Sequence, residues 1–140
     1  MPTYHVGRLI DHVHLRCADL KAAHRFYAAI MKALGIPPGN LTDSYYQVDE
    51  LFILPIDPGE NVPPTHVHLG FQANDRETVA RFYDAAMANG GTTNGMPGER
   101  DYHPGYYAAY VLDPDGNNVE AVYHGPAKRS AASIERTPIE

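Results

Sequence analysis

Histidines occur in two pairs in this chain, and each pair has the spacing of one face of a β-strand. His12 and His14 are two residues apart, and so are His66 and His68. Because successive side chains of a strand point to opposite faces, each pair is predicted to project from a single face. Neutral imidazole is the commonest side-chain ligand of metal ions, so a metal site is the first chemistry that these residues indicate.

A carboxylate near the end of the chain adds a third ligand type. Glu120 lies in the run 118–123, between apolar neighbours that face the other way if the run is a strand. Two histidines and one carboxylate leave coordination positions open, which is typical of a catalytic metal site. The alternatives are histidines that are solvated or hydrogen-bonded in a structural network, and a glutamate on a surface strand.

The histidine pairs belong to an internal repeat. The sequence His-Val-His-Leu occurs at 12–15 and again at 66–69, and Arg-Phe-Tyr occurs at 25–27 and again at 81–83. Two related halves are therefore predicted. Each has about 60 residues, which is too few to form a stable hydrophobic core alone.

Each half is predicted to form a strand, then a helix, then further strands. In the first half we predict a strand at 9–17 and a helix at 20–34, because apolar residues recur there at three- and four-residue steps. Asp19 is the predicted N-cap and Gly35 the predicted end of this helix. The second half repeats the pattern. It has a predicted strand at 65–72 and a helix at 76–89, capped by Asp75 or Asn74 and ended by Gly90-Gly91.

A hairpin is predicted near the end of the second half. The runs 106–112 and 118–123 are joined by Asp-Pro-Asp-Gly, in which proline favours a turn and glycine can take a positive φ. If this hairpin is regular, Ala109 lies opposite Glu120, and Tyr107 shares the inner face with Glu120. A phenol there is a candidate acid or hydrogen-bond donor to substrate, with packing as the alternative role.

The composition excludes several classes of function. The 140 residues carry a formal net charge of −6, so there is no basic surface for a nucleic acid or an anionic membrane. Apolar runs such as 51–54 are too short to span a bilayer, and residues 1–7 lack the pattern of a signal peptide. Cys17 is the single cysteine and falls on the apolar side of its strand, so a buried thiol and a reducing, cytoplasmic location are expected.

Taken together, these motifs resemble the vicinal oxygen chelate superfamily. The resemblance is carried by Ile10 to Leu15, by Ala18-Asp19-Leu20 and by the closing run Asp113 to Glu120, and it covers about residues 8–123. The superfamily includes glyoxalase I, bleomycin-resistance proteins, fosfomycin-resistance enzymes and extradiol dioxygenases. The segment 90–110 resembles a glyoxalase-like branch whose reaction is unassigned.

This resemblance implies an α+β fold of two tandem βαβββ modules, whose curved mixed sheet forms a cup or half-barrel with the helices outside. The modules would be residues 8–60 and 64–125 of a single domain at 1–126, followed by a polar tail at 127–140. By position in the motif, the ligands of a divalent Fe, Mn, Ni, Co or Zn ion would be His12, His66 and Glu120. His14 and His68 would be catalytic residues or substrate contacts on the same faces, with hydrogen-bonded polar packing as the alternative. A homodimer is expected, and the cup would close either within one chain or between two swapped copies.

The resemblance also bears on the reaction. The strand predicted at 51–56 holds no acidic residue, where glyoxalase I carries a second carboxylate ligand. A three-ligand site is therefore expected, as in the dioxygenases and the fosfomycin-type transferases. We expect a metal-dependent enzyme, a lyase, isomerase or dioxygenase, that chelates a small oxygenated substrate. The alternative is a metal-free binding protein of the bleomycin-resistance type, whose acidic groove sequesters a cationic ligand.

The segment 92–105 is a candidate lid. Its three glycines and two prolines are too many for an uninterrupted strand, and long connections in compact domains often serve function. We predict that it folds over the open side of the cup, where Arg100 or His103 reaches the polar end of the substrate. A solvated surface loop is the alternative.

Overall fold

The computed structural model describes residues 3–139, and these contain two helices and ten strands. In chain order the elements are β1 (Tyr4–Val6), β2 (Val13–Cys17), α1 (Leu20–Leu34), β3 (Asn40–Leu41), β4 (Tyr46–Val48), β5 (Leu51–Pro55), β6 (His68–Gln72), α2 (Arg76–Ala88), β7 (Thr92–Glu99), β8 (Tyr107–Leu112), β9 (Asn118–Tyr123) and β10 (Ile134–Arg136). Neither helix within this part of the chain has the length and apolar character needed to cross a membrane.

Two four-stranded sheets repeat one topology. The first sheet has the order β2-β5-β4-β3 and the second has the order β6-β9-β8-β7. In each sheet the first strand of the module pairs in parallel with the last strand, and the other pairs are antiparallel. The predicted α+β fold with a repeated module is therefore confirmed.

The helix ends lie where their capping residues predict. The side chain of Asp19 accepts a hydrogen bond from the Lys21 N–H at 3.0 Å, and Gly35 ends α1 with a φ of 80°. At α2 the side chain of Asp75 accepts from the Thr78 N–H at 2.7 Å. Helix α1 has the predicted bounds, and α2 ends one residue earlier than predicted.

The two helices pack against each other and against the apolar faces of both sheets, so the two modules share one core. Fully buried side chains of this core come from α1, from α2 and from the sheets: Phe26, Tyr27, Ile30, Ile53, Val79, Phe82, Val111 and Val119. The hydroxyl of Tyr27 in the first module donates a 2.6 Å hydrogen bond to Asp113 in the second, where both groups are buried.

The helices do not cover the other face of each sheet, and we call these the first and second open faces. The first carries the row His14, Phe52 and Gln47 across β2, β5 and β4, and the second carries Glu120 and Tyr110 across β9 and β8. Within residues 3–139 the strands of the two sheets do not pair with each other, so the cup is not closed by these residues.

Two parts of the fold differ from expectation. Residues 92–99 form the edge strand β7 rather than a connection, and the register of its pairing with β8 shifts around Gly95 and Gly98. An edge strand tolerates Pro97 because one of its sides needs no backbone partner, so the lid prediction is wrong for these eight residues. In addition, the polar tail contains β10, which pairs with β1 in a separate two-stranded sheet that the sequence pattern did not predict.

Candidate functional site

Glu120 is the buried acid of the second open face. Strand β9 places it opposite Gly70 of β6 and Tyr110 of β8, and the residue is only 6% exposed. Its side chain lies across Gly70, where a Cβ atom would touch the Glu120 Cγ at 3.5 Å. A buried carboxylate is stable only with hydrogen-bond donors around it, so the neighbours of Glu120 define the site.

Both carboxylate oxygens of Glu120 have such a donor. Oε1 lies 2.6 Å from Nε2 of His68, and Oε2 accepts a 3.0 Å hydrogen bond from the hydroxyl of Tyr106. This contact engages Nε2 of His68 and leaves its Nδ1 directed away from Glu120. His68 is about half exposed, whereas Glu120 is not. The pair is therefore a histidine held by a buried acid, with its other ring nitrogen available to a substrate.

Tyr106 is a site residue that the sequence did not predict. Burial, followed by its hydrogen bond to Glu120, raises the pKa of the Tyr106 hydroxyl well above its usual value. The phenol therefore stays protonated at neutral pH and remains a donor to the carboxylate.

The placement of Tyr107 beside Glu120 was wrong. Tyr110, not Ala109, lies opposite Glu120, because the turn between β8 and β9 contains five residues rather than four. This one-residue shift moves Tyr107 to the face that packs on the helices. There the Arg76 guanidinium lies 4.5 Å from the centre of the Tyr107 ring.

The connection after β7 surrounds the ring of Tyr106. The ring centroids of Tyr102, His103 and His124 lie 4.9, 5.4 and 5.2 Å from that of Tyr106. Nδ1 of His103 is 2.9 Å from the carbonyl of Pro104, which can only accept, and Nε2 of His103 is 2.9 Å from Nδ1 of His124. Both ring nitrogens of His103 are therefore engaged within the protein.

Arg100, the other predicted substrate contact, lies on the second open face. Its guanidinium carbon is 5.1 Å from the ring centre of Tyr110, the residue opposite Glu120.

The first open face holds the remaining predicted residues, His12 and His14. A cavity of about 410 Å³ opens there, and its lining residues are Val6, Asp11, His12, His14, Gln47, Asp49, Phe52 and Leu54. Nδ1 of His12 is 2.7 Å from Oδ1 of Asp11, and Arg136 of β10 donates to the other oxygen of Asp11 at 3.2 Å. The hydrogen bond from His12 and the nearby Arg136 charge hold the pKa of Asp11 below its usual value.

The predicted ligands do not meet in one copy of the chain. His12 and His66 both precede their strands, because β2 begins at Val13 and β6 at His68. The histidine bonded to Glu120 is His68 rather than His66, which is exposed. Among residues 3–139 no three histidine, cysteine or acidic side chains are close enough to hold a metal ion. A single chain therefore does not fit the metal that the resemblance implies.

The family model of the glyoxalase/bleomycin resistance protein/dioxygenase superfamily matches residues 9–121. This match spans both modules and both open faces. The chain belongs to this superfamily. The resemblance seen in the sequence motifs is thereby confirmed.

Solved structures of superfamily members share the fold. A glyoxalase/bleomycin resistance protein from Albidiferax ferrireducens T118 is 37% identical, with 81% of this chain and 97% of that chain covered and a TM-score of 0.67. A superfamily enzyme from Burkholderia phytofirmans PsJN is 20% identical over 80% and 95% of the two chains, with a TM-score of 0.58. A glyoxalase-related enzyme from Fulvimarina pelagi is 21% identical over 89% and 99%, with a TM-score of 0.60. No curated protein matches this chain.

Proposed function

We propose that this superfamily member is a metal-dependent enzyme of the glyoxalase or dioxygenase type, which binds a small oxygenated substrate. The observation that carries the proposal is the environment of Glu120. A buried carboxylate on the second open face lies between an imidazole and a phenol. Buried titratable groups with specific partners concentrate at functional sites, which supports a catalytic role for this face.

The proposed ligands of the divalent ion are His12, His66 and Glu120. Because one chain does not bring them together, the proposal includes a homodimer in which the first open face of one copy meets the second open face of another. Two sheet faces that the helices leave uncovered, one with His12 and one with Glu120, support such a pairing. When bound, the ion would polarise a substrate oxygen and stabilise negative charge on it.

The chain's own residues supply the proton chemistry. His68 is the proposed general base, since its Nε2 is bonded to Glu120 and Nδ1 is the ring nitrogen left to accept a proton from a substrate. Glu120 also stabilises the imidazolium that results. Tyr106 keeps Glu120 in place through its hydrogen bond, and Arg100 contacts the substrate. His14, in the cavity of the first open face, is the corresponding group on that side.

Elemental analysis tests whether the protein binds a divalent metal ion. We expect about one divalent ion per chain in protein purified without chelator or after addition of Mn, Fe, Ni, Co or Zn, and we expect Glu120→Gln to lose it. If none of these ions binds stoichiometrically to the unaltered protein, the proposal is wrong.

A mixed dimer tests the shared site. His12→Ala chains and Glu120→Gln chains are each expected to bind no metal. After unfolding and refolding together, the mixed dimer would carry both substitutions in one site and neither in the other, so metal binding should return to about half. The absence of any recovery in a confirmed mixed dimer would place the whole site within one chain.

A metal-free binding protein is the second candidate. The net charge of −6 and the lack of a three-ligand group within the described part of one chain favour it. Such a protein would bind a basic glycopeptide such as bleomycin with an affinity that His66→Ala leaves unchanged. The absence of glycopeptide binding in a calorimetric titration would remove this candidate.

A further inference from the structure

Arg100 is held in a fixed position on the second open face rather than extended into solvent. Its Nη2 donates to the carbonyl of Met96 at 2.7 Å, and its Nη1 donates to the carbonyl of Glu99 at 3.2 Å. The flat guanidinium also lies over the ring of Tyr110. The side chain therefore folds back along the end of β7 and is held by three contacts.

Two glycines of β7 make room for this conformation. A Cβ atom at Gly95 would lie 3.2 Å from Nη2 of Arg100 and 2.9 Å from Cδ2 of Tyr110. A Cβ atom at Gly98 would lie 3.0 Å from Nη1. Both distances to Arg100 are tighter than ordinary contacts, so a side chain at either position would displace the guanidinium. The glycines that argued against a strand in the sequence therefore leave the space that the Arg100 guanidinium occupies.

Arg100 differs from Arg76 of α2, the other arginine that lies over a tyrosine of β8, in having no acidic partner. Arg76 lies over Tyr107 on the helix-facing side and pairs with Glu99 at 2.7 Å. None of the ion pairs among residues 3–139 involves Arg100, whose two bonded nitrogens reach only carbonyl oxygens. A guanidinium has five N–H groups, so three remain to donate to a ligand.

The position of Arg100 also relates it to the proposed proton-transfer pair. Tyr110, under the guanidinium, lies opposite Glu120, and its ring centroid is 6.1 Å from that of His68. Tyr110 therefore lies beside both the Arg100 guanidinium and the His68–Glu120 pair.

We infer that the substrate carries a carboxylate, which Arg100 binds through its free N–H groups while the reacting carbon and oxygen atoms lie toward His68 and Glu120. A planar guanidinium can donate two parallel hydrogen bonds to a carboxylate, and Lys cannot reproduce this geometry. Gly95 and Gly98 are positioning residues for this contact. The inference rests on the proposed function, of which it names the substrate class.

Benzoate is a suitable probe because it carries a carboxylate on a ring that can stack and is a poor chelator, and benzamide is its neutral counterpart. We expect benzoate to bind at least tenfold more tightly than benzamide by NMR titration. Arg100→Ala and Arg100→Lys should each lower benzoate affinity at least tenfold. Gly98→Ala should also weaken it, because the added methyl displaces Nη1. Arg76→Ala, which removes a stacked arginine from the opposite face, should leave the affinity unchanged.

The controls separate this inference from the proposed function. Metal content is measured on every variant, and circular dichroism confirms that each one folds. If the protein binds metal but benzoate binds no better than benzamide, or binds Arg100→Ala equally well, the carboxylate assignment is wrong while the proposed function stands. If benzoate binds through Arg100 in a protein that takes up no metal, the anion site stands and the metal-dependent function is wrong.

Discussion

Nε2 of His68 lies 2.6 Å from Oε1 of Glu120 although the two residues are not in register on their parallel strands. His68 is paired with Asn118, and Glu120 is paired with Gly70. The contact is therefore diagonal, and the Glu120 side chain that makes it lies against Gly70, where a Cβ atom would be 3.7 Å from Oε1.

This contact predicts different effects for the two histidines of the second pair. His68→Ala removes a donor from a buried carboxylate and should lower the free energy of unfolding by about 1 kcal/mol, since water can partly replace a half-exposed partner. His66→Ala changes an exposed residue and should stay within about 0.5 kcal/mol of the unaltered protein. Urea unfolding of the metal-free protein measures both. Equal losses would show that the histidine paired with Glu120 has been misassigned.

Neighbouring tyrosines offer a second matched comparison. Tyr106→Phe leaves Oε2 of Glu120 without its donor and should cost about 1–2 kcal/mol of stability and lower turnover at the proposed site. Tyr107→Phe keeps the ring that stacks on Arg76 and should change neither quantity. Urea unfolding and steady-state kinetics would check this pair. A Tyr107→Phe protein that loses turnover while Tyr106→Phe does not would contradict the assignment of faces.

Local signals predicted much of the fold. The helix α1 was predicted at its observed bounds because its caps are side-chain and backbone properties of Asp19 and Gly35 themselves. The repeat predicted the modules, because a duplicated motif repeats its structure. These features depend on residues that are close in sequence, so they can be predicted from the sequence alone.

The site depends on features that are not local. The face of Tyr107 was wrong because the hairpin turn includes Asn117, whose carbonyl accepts from the Asp113 N–H at 2.9 Å and whose side chain is buried. One additional turn residue reverses every face of a strand. Likewise, the glycines of β7 are typical of a loop in sequence, and the close approach of Arg100 and Tyr110 explains them. Whether the two open faces meet depends on a second copy, which no pattern within one chain specifies.

A buried hydrogen bond between the modules gives a stability prediction. The hydroxyl of Tyr27 donates to Asp113 at 2.6 Å, and Asp113 also accepts from the side chain of Asn117. Tyr27→Phe keeps the packing of the ring and removes one bond to a buried charge, so it should cost about 1.5–3 kcal/mol in urea unfolding. A loss below about 0.5 kcal/mol would mean that this bond does not stabilise the contact between the modules.

The same tyrosine predicts how stability changes in alkali. Burial and the Asp113 charge raise the pKa of the Tyr27 hydroxyl well above its usual value of 10.0. Above pH 10 the unfolded chain releases this proton while the folded protein keeps it, so the stability of the folded state falls with rising pH. Tyr27→Phe should reduce this loss, and a slope above pH 10 equal to that of the unaltered protein would contradict it.

The single cysteine is expected to react slowly in the folded protein. Cys17 is 2% exposed on the apolar side of β2, and burial, assisted by the charge of Asp115, raises the pKa of its thiol from 9.0 to about 11. Alkylation requires the thiolate, so iodoacetamide should label folded protein far more slowly at pH 8 than protein unfolded in urea, as measured by mass spectrometry. Between pH 9 and 11 the unfolded thiol is ionised and the folded thiol is not, so this group lowers stability across that window, and Cys17→Ala should remove its contribution. Rapid labelling of the folded protein at pH 8 would show that Cys17 is accessible, and the predicted buried thiol would then be wrong.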